Sequence, residues 1–361
     1  MPAISIVIPI HNSEEYIPRF ANSLQRQSIN DFEAIFVDDA SEDASGTMLE
    51  ALALQDARFR VLRHDHNRGA GVARNSGIRG ATGETLCFAD PDDLLPETSL
   101  EARLTAYKKH NAIVRGCHME VTDTGTVLNM EQRPAGLPVI CRPSEVAPQF
   151  GTSPFLCAHW TWLFPTKLVQ RHEIFNQEGL CTAEDIIFLI RMFFKIHKMV
   201  WIDDVVYRWV KRENSLSNTR YTPRHYSDYF KCVDIFYEES KNNNVPLADE
   251  FCNSYLSCYL AHLMFQVIEG KSSEEEAVTV VHEAARIAAK HGVMRRNMTK
   301  MQAAPLQYSG LYRLWKALTA SDPAMLGRLI AGNNELVAMY QRATAGTAAQ
   351  DVSPENGSSE G

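Results

Sequence analysis

Glu33-Ala34-Ile35-Phe36-Val37-Asp38-Asp39 is a short apolar run that ends abruptly in two carboxylates. Its centre is rich in β-branched and aromatic side chains and lacks polar alternation, which reads as a strand covered on both faces. Toward the N-terminus, Glu14 to Gln27 carries Tyr16, Ile17, Phe20 and Leu24 at helical spacing, and Ile4-Ser5-Ile6-Val7-Ile8-Pro9-Ile10 is a further strand. Toward the C-terminus, Asp43 to Gln55 places Met48, Leu49 and Leu52 on one helical face. Phe59-Arg60-Val61-Leu62 follows as a strand, Gly71 to Ile78 as a short helix and Thr85-Leu86-Cys87-Phe88-Ala89 as a fourth strand. Strand–helix alternation of this kind predicts an α/β fold, a Rossmann-like and mostly parallel sheet flanked by helices and joined by right-handed crossovers.

In an open parallel sheet, ligands bind beyond the carboxyl ends of the strands. Asp38-Asp39 follows the second strand, and Asp90-Pro91-Asp92-Asp93 follows the fourth. One reading makes these acids turn and capping residues, since Asp-Pro starts turns and Asp93 can cap a following helix. The other starts from repulsion: paired acids without interleaved bases repel unless a cation sits between them. Mg²⁺ or Mn²⁺ fits that place, because it takes one or two carboxylates plus substrate phosphates. Between the clusters, Gly69 and Gly71 permit close backbone approach at a helix start, which favours an anion, and Arg74 lies on that helix. The segment is neither a P-loop nor Gly-x-Gly-x-x-Gly. His64 and His66 alternate along an extended stretch and are expected on one face.

Beyond about Ala112 the pattern is irregular. Met119 to Leu128 predicts a hairpin turning at Thr124-Gly125, Ala183 to Ile196 a helix, and Met199 to Trp209 a strand. Past Thr222 the chain reads as mainly helical. A capping box at Ser273 and Glu276 opens one helix, and Gly292 closes it. The expected organisation is an α/β domain over 1–220, a helical region over 221–345 and a disordered tail over 346–361.

Of 361 residues, 45% are hydrophobic and 22% charged, with a net charge of -8, so nucleic acid is not an expected partner. The eight cysteines include no Cys-x-x-Cys pair. With no signal-peptide pattern and no apolar run long enough for a membrane span, a cytoplasmic chain is expected. Between Gly292 and Ser321 there is no acidic residue, while Arg295, Arg296, Lys300, Arg313 and Lys316 are basic. That leaves two readings for 293–345: peripheral contact with the inner face of an anionic membrane, or a helix packed on protein.

Several short motifs follow one another along the chain: Pro9-Ile10-His11-Asn12, Gln27-Ser28, Asp38-Asp39-Ala40-Ser41, Asn67-Arg68-Gly69, Ala73-Arg74-Asn75-Ser76-Gly77, Ala81-Thr82-Gly83-Glu84 and Asp90-Pro91-Asp92-Asp93. In order and approximate spacing across residues 4–105 they resemble the family 2 glycosyltransferases, inverting enzymes of the GT-A fold. A looser resemblance continues through Trp160-Thr161-Trp162-Leu163-Phe164, Glu184-Asp185, Tyr207-Arg208 and Arg212 to Ser217. His11 stands for the usual tyrosine, Ala40 for the usual glycine and Pro91 for the usual serine, and Ser28 follows Gln27 directly.

The resemblance implies a nucleotide-sugar donor, in this family usually a UDP-sugar. It implies a saccharide or lipid-linked acceptor in polysaccharide or glycolipid synthesis. Pro9 and Asp38 should hold the base, with Asn12, Asp39 and Arg74 in the donor site. Asp90 should approach the ribose and a Mn²⁺ or Mg²⁺ ion that Asp92 binds. Asp185 should be the catalytic base, with Trp160, Glu184 and Asp93 as acceptor-binding or supporting residues. Trp160 and Trp162, two apart on an extended segment, are expected on a common face, at least one of them in the core.

Such chemistry needs a Lewis acid for the charge that builds on the leaving diphosphate and a carboxylate to take the acceptor's proton. Two rivals share parts of the pattern. A haloacid-dehalogenase-type phosphotransferase also places Asp-x-Asp after a strand, but expects threonine or valine where Leu94 stands. A catalytically inactive nucleotide-sugar-binding subunit would be expected to lack some of the carboxylates, and all are present.

Overall fold

The computed structural model describes residues 1–134, 136–146, 158–180, 182–212 and 222–243, with scattered positions between 273 and 290. The Glu213 to Ser217 segment, Gly292, the 293–345 region and the tail lie outside the described residues.

The chain divides into two compact units, one comprising Met1–Thr219 and Lys231–Tyr255, the other Arg220–Phe230 and Leu256–Gly361. The first carries the sheet. Its strands are β1 (Ile4–Ile10), β2 (Phe32–Asp38), β3 (Phe59–Arg63), β4 (Thr85–Phe88), β5 (Ile113–Thr122), β6 (Val127–Met130), β7 (Ile140–Cys141), β8 (Trp162–Pro165) and β9 (Met199–Lys211). The helices are α1 (Ile17–Gln25), α2 (Ser45–Gln55), α3 (Ala70–Gly80), α4 (Ser99–His110), α5 (Pro143–Val146), α6 (Thr166–Arg171), α7 (Glu184–Phe193) and α8 (Pro223–Asn243).

Among the described residues nine strands run in the order β3-β2-β1-β4-β8-β5-β9-β7, with β6 paired to β5. The expected parallel sheet is realised over β1 to β4, where Ile4 to Ile10 lies beside Phe32 to Asp38 and Ile4 to Val7 beside Thr85 to Phe88. Beyond β4 the sheet is mixed. β8 runs antiparallel to both β4 and β5, and β5 returns to parallel pairing with β9. β8 follows directly on a three-residue 3₁₀ turn, His159–Thr161.

Packing explains the elements. Every residue of β1 and β2 is buried, as strands covered on both faces must be. Phe20 of α1, Phe36 of β2 and Phe59 of β3 meet edge to face. Gly77 lets α3 close on β1, since a Cβ there would stand 2.3 Å from Val7 Cγ1. The predicted hairpin is present, with Val121 opposite Val127 and Gly125 at φ 87 in the turn. α7 begins at Glu184 and stops at Phe193, three residues short of the predicted end.

In the second unit the capping box is formed: Ser273 N–H donates to Glu276 Oε2 at 2.9 Å, and Glu276 N–H to Ser273 Oγ at 3.1 Å. Among the described residues no helix is long and apolar enough to cross a membrane.

Candidate functional site

The strand order reverses direction of growth between β1 and β4, the switch point at which open α/β sheets bind ligands. Three strand ends meet there. After β1 the chain turns through Asn12 at φ 48, and after β2 through Ala40 at φ 56, both in the left-handed region. Asp39 N–H donates to Ile10 O at 2.7 Å and ties the two turns together. A cavity of about 590 Å³ opens at this edge, bordered among others by Pro9, Asn12, Asp39, Arg74, Asp90, Asp92 and Glu184.

Its floor is an alternating set of acids and arginines. Arg74, almost fully buried on α3, donates from Nη2 to Asp90 Oδ1 at 2.8 Å and from Nη1 to Glu184 Oε1 at 2.6 Å. Burial works against its charge, but Asp90 and Glu184 outweigh that and raise its pKa. Gly71 makes room for Glu184, whose Cγ lies 3.2 Å from where a Cβ would stand. Asp92 accepts from Arg212 Nη1 at 2.7 Å, and burial together with the Asp90 charge pushes its carboxyl above the usual range. Asp93 is shielded from solvent. Tyr207 Oη donates to its Oδ2 at 2.9 Å and Val210 N–H to its Oδ1 at 2.8 Å. Burial, then the Asp92 and Asp90 charges, push it well above the carboxylate range.

Asp185 stands beside Glu184 in the first turn of α7, with Oδ1 accepting the Ile186 N–H at 2.9 Å. Burial and the neighbouring Glu184 charge push its pKa up to about 8, against the opposing pull of Arg74. In the 3₁₀ turn before β8 the ring of His159 stacks on Phe88 with centroids 4.3 Å apart, and burial with the Arg74 charge holds that imidazole well below its usual range.

The residues singled out in the sequence are thus largely gathered on one wall. Pro9, Asn12, Asp39, Arg74, Asp90, Asp92, Asp93, Trp160 and Glu184 all border the cavity. Two do not. Asp38 has no exposed surface; its Oδ1 accepts the Ser41 N–H at 2.9 Å and its Oδ2 lies 3.4 Å from Arg63 Nε, so it shapes the turn below the cavity. Asp185, half-buried next to Glu184 in the first turn of α7, is not among the residues bordering the cavity. Asp93 caps no helix, since α4 starts only at Ser99 with Thr98 as its cap residue.

Two pairings by face do not hold. His64 is half-buried, with Nδ1 2.6 Å from Asp39 Oδ1 and Nε2 2.9 Å from Ser76 Oγ, whereas His66 is exposed beside Asp65. β3 ends at Arg63, so the two-residue period of a strand does not extend to them. Trp160 sits in the 3₁₀ turn, stacked on Tyr207 at 4.2 Å, while Trp162 opens β8 in the core.

Sequence reasoning missed Arg212 and Tyr207 as partners of the acidic cluster. Both lie on or next to β9, more than a hundred residues from the acids they hold. The only signal was the loose resemblance of Tyr207-Arg208 and Arg212 to a downstream family segment.

Comparison with known proteins agrees with this architecture. The Glycosyl transferase family 2 model matches residues 5–171. The glycosyltransferase EpsJ of Bacillus subtilis is 29% identical over 266 residues, covering 72% of this chain and 75% of that protein. The poly(ribitol-phosphate) beta-N-acetylglucosaminyltransferase TarS of Staphylococcus aureus is 25% identical over 268 residues, 71% of this chain and 45% of that protein. The crystal structure of S. aureus TarS 1-349 in complex with UDP-GlcNAc superposes with a TM-score of 0.68 at 20% identity, over 93% of this chain and 92% of that one, a likeness of fold.

Proposed function

The chain belongs to glycosyl transferase family 2, and on that premise we propose that it moves a sugar from a UDP-sugar to an acceptor hydroxyl, with inversion, in the assembly of a polysaccharide or glycolipid. The observation that carries this reading is the cavity at the ends of β1, β2 and β4, where Asp39, Arg74, Asp90, Asp92 and Glu184 converge. Pro9, Asn12 and Asp39 face the nucleoside; Asp38 acts from beneath by shaping the turn. The N-terminus of α3 and Arg74 favour the diphosphate. We assign catalysis to residues 1–220 and a part in the choice of acceptor to residues 221–345.

The donor set suits a divalent cation. Asp90 and Asp92 offer hard oxygen ligands, each of their ion pairs uses one oxygen, and Asp90's charge makes Asp92 costly to ionise without a positive neighbour. Among the described residues no three His, Cys, Asp or Glu side chains form a metal cage. An Mg²⁺ or Mn²⁺ ion that completes its sphere with substrate phosphates needs only one or two carboxylates. When bound, it supplies Lewis-acid stabilisation of the leaving diphosphate.

Asp185 is the base. A proton acceptor works best with a pKa near the operating pH, and burial beside Glu184 brings Asp185 into that range. Glu184 is engaged by Arg74 Nη1 at 2.6 Å and orients that guanidinium instead. The acceptor hydroxyl loses its proton to Asp185 while its oxygen forms the bond to the anomeric carbon and the diphosphate departs with the electron pair of the old bond. One displacement inverts the centre.

The test is turnover with a panel of UDP-, GDP- and dTDP-sugars, with Mn²⁺ and with chelator, followed by the anomeric configuration of the product. UDP-sugar turnover that stops in chelator and gives inverted product is expected. A retained configuration, or hydrolysis of simple phosphate esters instead of sugar transfer, would overturn the assignment.

A further inference from the structure

His11 borders the cavity at the end of β1, and its two ring nitrogens join three separate segments of the wall. Nδ1 lies 3.0 Å from the carbonyl oxygen of Asp39, at the end of β2. Nε2 lies 2.9 Å from Asn67 Nδ2 and 3.3 Å from Asn12 Nδ2. The tautomer follows from the partners. A carbonyl oxygen only accepts, so Nδ1 carries the hydrogen. Both amides have their oxygens committed elsewhere: Asn67 Oδ1 accepts the Gly69 N–H at 3.1 Å, and Asn12 Oδ1 accepts the Glu42 N–H at 2.8 Å. Their nitrogens must therefore face the ring, and Nε2 must be the acceptor.

The stretch that His11 grips is the one that leads into α3. Arg68 N–H donates to both oxygens of Asp39 at 3.0 Å, and Gly69 N–H to Oδ2 at 2.7 Å. His64 holds the same carboxylate from the other side, at 2.6 Å. Asp39 is thus clamped through its side chain by His64, Arg68 and Gly69, and through its carbonyl by His11. The ring of His11 closes the circuit by reaching Asn67. Gly69 sits at φ 88 as the cap residue of α3, and Asn67, Gly69 and Ala70 all border the cavity.

We infer that His11, as the Nδ1–H tautomer, is a positioning residue for the donor. It clasps Asn67 to the Asp39 turn and holds the Asn67–Gly69 segment in place ahead of the α3 N-terminus, where the nucleotide enters. The inference rests on reading this cavity as the donor site. These hydrogen bonds are partly exposed in the free protein, and a ligand that covers them makes each one stronger by lowering the local dielectric. The role differs from a flat ring that stacks on a base: it needs one donor and one acceptor nitrogen, and aromaticity alone does not meet it.

Two substitutions separate the alternatives. His11→Phe keeps the ring and removes both nitrogens, whereas His11→Gln gives up the ring and keeps a donor and an acceptor. Hydrogen exchange of the Arg68 and Gly69 amides is measured in the free protein, and UDP binding by calorimetry. Expected for His11→Phe is faster exchange at both amides and UDP binding weaker by about three- to tenfold, the range of one lost hydrogen bond. His11→Gln should recover most of both effects. In a double-mutant cycle, Asn67→Ala should add little to His11→Phe. If His11→Phe leaves exchange and UDP affinity unchanged, or if it outperforms His11→Gln in both, the clasp is wrong. Failure of the unaltered protein to bind UDP, with exchange still raised by His11→Phe, would instead overturn the donor-site reading and the positioning role with it.

Discussion

The half of the sheet from β1 to β4 and the half from β5 to β9 contribute to the same cavity by different means. In the first half, parallel strands end side by side, and acids placed directly after β2 and β4 arrive at one edge by periodicity alone. In the second, parallel and antiparallel pairings are mixed, and what reaches the cavity is a set of partners: Arg212 on Asp92, Tyr207 on Asp93 and Glu184 on Arg74. The first half supplies charge and the second decides what state that charge is in. Asp93, held by Tyr207 in a buried site, is pushed well above the carboxylate range, although it is one residue from Asp92, which meets Arg212 at the cavity wall.

The comparison breaks most visibly at Asp185, which belongs to the second half. Asp185→Asn should cut transfer by about 10²–10⁴, measured as sugar transfer at saturating donor, while UDP affinity is kept. Turnover of the unaltered protein should rise with pH toward about 8, the pKa to which burial and Glu184 push the group. Its folded-state pKa lies above the ordinary value of about 3.9, so between those limits the folded protein holds a proton that the unfolded chain releases. Stability therefore falls as pH rises through that window. Asp185→Asn cannot ionise and should melt higher near pH 8, by about 2–4 °C for each kcal/mol relieved, with the gap closing toward pH 4. Near-normal turnover in the asparagine variant would move the base elsewhere.

Next in size is Asp92, the acid of the first half that the second half holds by an exposed-side ion pair. Asp92→Asn should lower turnover by about 10²–10³, the size of losing one stabiliser of developing charge, and should abolish any difference between Mn²⁺ and chelator. A variant that still responds fully to Mn²⁺ would show that Asp92 is not the ligand.

Tyr207→Phe tests the coupling between the halves. The hydroxyl donates to Asp93 and accepts the Asp90 N–H at 3.0 Å, so its removal leaves a buried acid short of a partner. A loss of about 1–3 kcal/mol in urea unfolding is expected. An unchanged midpoint would mean that Asp93 is held by Val210 alone.

The smallest effect lies wholly in the first half. Ala40, at φ 56, occupies a conformation that glycine adopts without strain. Ala40→Gly should change stability by less than about 1 kcal/mol, because relief of strain is offset by the greater freedom of glycine in the unfolded chain. A loss of several kcal/mol would show that the Ala40 methyl packs against something essential.

Strand and helix periods, the strand-end position of Asp38-Asp39 and Asp90 to Asp93, and the Arg74 helix were all legible in the amino-acid order, because each depends on neighbours a few residues away and on a rule that parallel strands end together. Burial of Asp38 was not legible. It and Asp39 differ only in which side of a turn they face, and that is set by Ser41 and Arg63 folding over one and by Arg68 and Gly69 over the other. The separation of Trp160 from Trp162, and of His64 from His66, came from a 3₁₀ turn in one case and a strand end in the other, which cancel the alternation that an extended chain would impose. Residue order alone determined which acids and which helix N-terminus would meet at the edge of a parallel sheet. Only the tertiary structure decided which of those acids carry charge, because protonation depends on burial and on arginines and a tyrosine brought in from a hundred residues away.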